Sequence, residues 1–174
     1  MSTRIARIFR AALLAALFTG VTAFVTSRSV SAASATANLS VTANVTANCT
    51  ISTSPVAFGS YDPIVAHAAS PLDSTGTVTI RCTKGTPTTL GLGLGVSPSG
   101  ATRRMTDGTD FMSYELYKDN GRTQVWGNSG TDLLVPANAP SSAPRNFTVY
   151  GRVAAAQDVE AGNYNDTVVA TVNW

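Results

Sequence analysis

The sequence is poor in charge, in histidine and in cysteine. Only 13% of its 174 residues are Asp, Glu, Lys or Arg, against ~25% in typical soluble domains. The 12 basic residues outnumber the 10 acidic ones, but Arg4, Arg7, Arg10 and Arg28 all fall within the first 28 positions. Without those four the balance is 8 basic to 10 acidic, a formal charge of −2. The balance therefore argues against a basic surface for nucleic acid. The single histidine, His67, sits in Ile64-Val65-Ala66-His67-Ala68-Ala69-Ser70-Pro71, which reads as a loop before a turn. One histidine leaves no basis for a Ser-His-Asp or Cys-His centre, and a copper–zinc site needs several. Two cysteines and one histidine also fall short of the four ligands of structural zinc. No catalytic residue, cofactor or metal is expected.

Other motifs of chemistry fail on spacing. Gly91-Leu92-Gly93-Leu94-Gly95 lacks the spacing and following helix of a dinucleotide loop, and reads as a strand. Asp107-Gly108-Thr109-Asp110 has too few ligands for calcium and no distal Glu in register. The carboxylates are scattered singly, with nothing to mark a glycosidase pair. Arg103-Arg104 reads as a solvated edge. Five Asn-x-Ser/Thr sequons, at Asn38, Asn44, Asn48, Asn146 and Asn165, read as the polar face of exposed strands. The aromatics Phe58, Tyr61, Tyr114, Tyr117, Trp126, Tyr150, Tyr164 and Trp174 read mostly as core or interface residues rather than a sugar-binding surface.

The N-terminus has the layout of a secretory signal. Arg4, Arg7 and Arg10 precede fifteen uncharged residues, Ala11 to Val25, and then small residues. The layout predicts a signal peptide over residues 1–33, with cleavage between 33 and 35. Fifteen apolar residues are fewer than the ~20 a bilayer-spanning helix requires. No second such run follows, so the mature form is expected to be exported, without a membrane span. In an exported chain a pair of cysteines points to a disulfide, stabilising by roughly 3–4 kcal/mol on the chain-entropy account.

Gly, Ser, Thr and Asn take the place of charge, and short alternating segments dominate. From Ala37 to Ile51 all eight odd positions are apolar and all seven even ones polar. That is an uninterrupted strand period, and it is too long. Fifteen residues at ~3.3 Å extend ~50 Å, whereas a domain of about 140 residues is roughly 37 Å across. The segment must bend or project with one face apolar, which is an aggregation hazard unless a partner covers it. A matching oddity stands at the other end. Gly162-Asn163 predicts a turn, after which Tyr164, Asp166, Val168, Ala170, Val172 and Trp174 alternate with polar residues and Val169, and the sequence stops inside that strand. Further strands are predicted around Val78-Ile80-Cys82, Leu90-Leu92-Leu94, Met112-Tyr114-Leu116 and Phe147-Val149-Gly151-Val153. Asp119-Asn120-Gly121 predicts a turn leading to Val125-Trp126. No helix of ordinary length is expected after the signal. The pattern is that of one all-β sandwich domain.

Several motifs, weak singly but specific in order, carry a family resemblance. They are Cys49-Thr50-Ile51, Phe58-Gly59-Ser60-Tyr61-Asp62-Pro63, Gly76-Thr77-Val78-Thr79-Ile80-Arg81-Cys82 and Tyr114-Glu115-Leu116-Tyr117. Val125-Trp126-Gly127, Val149-Tyr150-Gly151-Arg152-Val153 and Gly162-Asn163-Tyr164-Asn165-Asp166-Thr167-Val168 complete the set. Together the chain from about Ala37 to Trp174 resembles the spore coat protein U domain, a family that includes Csu-type subunits of archaic chaperone–usher pili in Gram-negative bacteria. The resemblance implies an incomplete immunoglobulin-like sandwich lacking its last strand, completed by donor-strand complementation, with a disulfide from Cys49 to Cys82. It implies a periplasmic chaperone, an outer-membrane usher, and copies of itself or related pilins as partners, with the product on the cell surface as a pilus. Residues 34–46 then form a donor strand and 47–174 the pilin domain. Leu39, Val41, Ala43 and Val45 are expected to enter the groove of the next subunit. Tyr164, Val168, Ala170, Val172 and Trp174 are expected to form the C-terminal strand of the acceptor groove. The implied role is a structural pilus subunit supporting adhesion and biofilm formation. The alternatives are a spore or cyst coat protein, or a secreted module binding carbohydrate or a surface directly. Against a tip adhesin, 174 residues leave no room for a receptor domain.

Overall fold

A computed structural model describes residues 27–174. The expected export signal lies largely outside the described residues. The chain divides into two units at Thr42–Ala43, each treated by itself. The described part of the first, residues 27–42, is exposed and carries no regular secondary structure.

The second unit is all-β. Strands β1 (Cys49–Ser54), β2 (Leu72–Cys82), β4 (Arg103–Thr106), β5 (Phe111–Tyr117) and β6 (Arg145–Val153) form a five-stranded antiparallel sheet in the order β1-β2-β6-β5-β4. Strands β3 (Thr89–Leu92) and β7 (Ala170–Asn173) form a second, two-stranded ladder. Among the described residues the only helical element is a single 3-10 turn, Gly130–Asp132, and no helix is long and apolar enough to cross a membrane. The period of two settles which side chains go inward. Val78, Ile80 and Cys82 of β2, Val149 and Val153 of β6, and Met112, Tyr114 and Leu116 of β5 are all buried. Trp126 is wholly buried and donates its indole N–H to the Leu90 carbonyl at 3.1 Å, tying the two ladders together. The Asp119 turn brings it there: the Asp119 carboxylate accepts the amides of Thr123 and Gln124 at 3.0 and 2.8 Å. Cys49 and Cys82 stand opposite each other in the β1–β2 ladder and are joined by a disulfide.

Three expectations change. The alternation over Ala37–Ile51 predicts strand throughout, but the ladder begins at Cys49. A strand is defined by a partner's hydrogen bonds, and residues 37–45 have none among the described residues. Of the predicted strand over Tyr164–Trp174, Asn165 makes an isolated bridge to Thr106, and a ladder forms only over Ala170–Asn173, where β3 lies alongside. Arg103 is no solvated edge: it opens β4 and is 1% exposed. Its guanidinium donates to the carbonyls of Gly93 (2.8 Å), Leu92 (2.9 Å) and Trp126 (2.7 Å), and pairs with Glu115. Four acceptors converging from β3, β5 and the Trp126 segment explain how a cation tolerates burial. Its neighbour Arg104 behaves as an edge residue, lying over the Phe111 ring at 4.1 Å.

Candidate strand-binding groove

Strands β1 and β7 each leave an edge without a ladder partner among the described residues. β1 bonds only β2, and β7 bonds only β3. Where the chain continues past β1 and where it approaches β7, a groove of ≈1010 Å³ opens between them. Thr53–Tyr61 forms one wall, and Val159–Val168 with Ala170 the other. The floor is apolar, made by Leu72, Val78, Met112, Leu116, Val149 and Val153 among others. The walls are not regular strands. Val56, Phe58 and Val168 lie outside any ladder, and their backbone N–H and C=O groups bond to nothing in the described chain. Unpaired backbone along an apolar trough is a template for another strand.

The sequence places the first wall by small residues. A Cβ on Gly76 would meet Val56 Cγ2 at 2.7 Å, and one on Gly151 would meet Val56 Cγ1 at 2.7 Å and Phe58 Cζ at 2.8 Å. These two bare positions on β2 and β6 let the wall sit directly on the sheet. Phe58 then packs edge-on against Tyr114, with centroids 6.2 Å apart. Beyond it the Tyr61 hydroxyl donates to the Ala154 carbonyl at 2.8 Å and accepts from the Gln157 amide at 2.9 Å. His67 stacks on Tyr61 at 5.1 Å, and its Nδ1 accepts the Asp62 amide at 3.1 Å. The one histidine thus anchors a turn. Backbone N–H bonds from Val65 and then Ile64 hold the Asp62 carboxyl below its usual range.

Asp166 fixes the second wall. Its carboxylate accepts the amides of Val96 (2.8 Å) and Thr167 (2.7 Å) and the Tyr114 hydroxyl (2.6 Å). A Cβ on Gly95, where φ is +86°, would fall 1.9 Å from the Asp166 carboxylate, so glycine is required there. Burial, and then the bond to Asp166, push the Tyr114 phenol far above its ordinary 10.0. A raised pKa gives stability that is complete below the unfolded value and lost as pH rises above it. Tyr114→Phe is therefore expected to cost roughly 1.5–3 kcal/mol at neutral pH, where a bond to a charged acceptor is lost. Above pH about 10 the gap should narrow, because only the wild type must ionise or retain a buried phenol. Urea midpoints of both proteins at pH 7 and pH 10.5 check this; a gap that widens with pH contradicts it.

The structure sorts the expected site residues. Tyr164, Val168 and Ala170 line the groove. Val172 is 9% exposed and belongs to the core, opposite Leu90 in the ladder, while Trp174 is 56% exposed and does not line the groove. Leu39, Val41, Ala43 and Val45 are exposed and carry no ladder, at 87%, 85% and 79% exposure for Leu39, Val41 and Val45. Sequence reading missed Val56, Phe58 and Val159 as wall residues, because none sits in an alternating run. The signal that was available is glycine at Gly76 and Gly151, where the strand pattern calls for a core residue. Among the described residues no three His, Cys, Asp or Glu side chains cluster as metal ligands. The groove offers apolar surface and unpaired backbone, which suit an extended peptide.

A family model described as the spore coat protein U domain matches residues 35–171. Protein U of Myxococcus xanthus is 41% identical over 128 residues, covering 67% of this chain and 70% of that protein. Among solved structures, this chain resembles one in the CsuC–CsuE chaperone–tip adhesion subunit pre-assembly complex from archaic chaperone–usher Csu pili of Acinetobacter baumannii. That similarity has a TM-score of 0.55 and 27% identity over 75% of this chain. The chain spans 40% of the length of that solved chain.

Proposed function

Because the chain belongs to the spore coat protein U domain family, we propose that it is an exported structural subunit that polymerises when the N-terminal strand of one copy fills the groove of the next. The family and the fold are those of pilus and coat subunits rather than enzymes. The observation that carries the finer reading is the groove itself, a trough with an apolar floor between two strand edges that lack ladder partners. The exposed segment Leu39–Val45 has the complementary chemistry, with every second residue apolar. Main-chain bonds to both edges would supply affinity, and Leu39, Val41, Ala43 and Val45 would set register, since a slip of one residue presents Ser40, Thr42 and Asn44 instead. Such head-to-tail contacts do not close, so they build filaments. On this reading residues 34–46 are the donor and 47–174 the acceptor domain. A periplasmic chaperone guards the groove, an outer-membrane usher assembles the fibre, and the fibre supports adhesion and biofilm growth. A protective coat is the second reading, favoured by the match to a spore coat protein domain, and uses the same insertion.

The test is a denaturing gel of the surface-extracted protein with and without boiling. A ladder that collapses to monomer on boiling is expected. A synthetic peptide spanning residues 37–47, present during refolding, is expected to cap the groove and yield soluble monomer. Monomer alone in the unboiled sample, with no effect of the peptide, would sink the proposal.

A further inference from the structure

Strand β5 serves both faces of the larger sheet. Met112, Tyr114 and Leu116 are buried against core and groove, so Ser113, Glu115 and Tyr117 face the other way by the two-residue period. On that outer face Glu115 stands directly opposite Arg152 of β6, and Tyr117 opposite Tyr150. Opposite charges so placed ordinarily pair across the strands. These two do not. Glu115 uses Oε1 to pair with the buried Arg103 and to accept the Leu116 amide at 2.9 Å. Arg152 turns to Asp73, donating from Nε at 2.7 Å and from Nη2 at 2.8 Å. A recess of ≈320 Å³ lies beside them, lined also by Tyr117, Ser113 and Thr102. That is near the lower end of the ~300–1,000 Å³ range of small-molecule sites.

What the recess lacks defines its ligand. Both charges are already compensated, Glu115 by Arg103 and Arg152 by Asp73. The unused capacity is in hydrogen bonds: Glu115 Oε2 and Arg152 Nη1 bond to nothing among the described residues. A ligand therefore needs no charge; it needs hydroxyls that both donate and accept, and an apolar face for the Tyr117 ring. A pyranose offers both, vicinal hydroxyls on its edge and C–H groups on its face. An amino-acid zwitterion would bring charges to groups that already have partners, at a desolvation cost. The rim is held in place, with Arg122 3.2 Å from Asp73 and lying over the Tyr150 ring at 5.8 Å.

We propose that this recess binds a neutral sugar ring, with hydroxyls meeting Glu115 Oε2 and Arg152 Nη1 and the ring face on Tyr117. It opens on the face of β5 opposite the groove, so the proposal does not depend on strand insertion. Saturation-transfer NMR on the purified full chain tests it, with methyl glucoside, methyl galactoside, methyl mannoside and N-acetylglucosamine as neutral probes and glycine and glucuronate as charged ones. At least one neutral probe is expected to bind saturably, with a Kd on the order of 1 mM. Tyr117→Ala and Arg152→Gln are each expected to weaken it about tenfold or more, with far-UV circular dichroism unchanged. Absence of saturable binding by every neutral probe overturns the proposal, as does binding that both variants leave intact or a preference for glycine or glucuronate. If Tyr117→Ala does not fold, Arg152→Gln alone decides, since Arg152 is a partly exposed side chain away from the core.

Discussion

Val41→Asp is expected to abolish polymers while leaving the domain folded. Val41 is 85% exposed and takes part in no ladder, so the substitution removes nothing from the described core. In the groove of another subunit the same position would meet apolar floor. An unpaired carboxylate there costs on the order of 4 kcal/mol or more, roughly a thousandfold in affinity. The neighbouring Thr42→Asp is the control, because alternation puts residue 42 on the face turned away from the groove. The expected gel shows a ladder for the wild type and Thr42→Asp, and monomer for Val41→Asp. Equal ladders from all three proteins would remove residues 39–45 from the donor role while leaving the groove to some other strand.

The second large effect concerns stability rather than assembly. Arg103→Leu is expected to destabilise the fold by about 3–5 kcal/mol, the cost of breaking a buried charge pair by removing one partner. The carbonyls of Leu92, Gly93 and Trp126 lose their donor, and the Glu115 carboxylate loses its cation. Against a total of about 5–15 kcal/mol, such a loss brings the domain close to unfolding. The groove suffers with it, because β3, held by Arg103, is the sole ladder partner of β7. Arg103→Lys is expected to recover only part of the loss, since one ammonium cannot span acceptors that a planar guanidinium reaches together. Urea midpoints of the three proteins decide the matter. A Leu variant within about 1 kcal/mol of wild type would mean that water or local rearrangement satisfies those carbonyls.

How far the sequence could be read depended on whether a feature is local. Val78-Ile80-Cys82, Met112-Tyr114-Leu116 and Val149-Gly151-Val153 show their inward face directly, because a strand's period of two is imposed by its own backbone. Arg103 shows the limit. Two adjacent arginines near a turn look like a solvated edge, and nothing nearby in sequence says that Leu92, Trp126 and Glu115 converge on the first of them. The groove walls fail for a related reason. Phe58 and Val56 belong to no alternating run, and their position is decided by Gly76 and Gly151, far away in the chain.

The two chain ends divide the same way. Sequence alone determined that residues 37–51 have the pattern of a strand with one apolar face, since that is a property of residue order. It also determined that the fold is all-β. Only the tertiary structure decided where that pattern becomes a ladder, at Cys49, and where the C-terminal run does, at Ala170. It alone decided that Tyr164, Val168 and Ala170 face an open trough while Val172 is core and Trp174 lies outside. The reason is that strand pairing is a contact between distant segments. A sequence states a strand's preference for a partner, and only the folded chain shows which edges β1 and β7 leave unpaired.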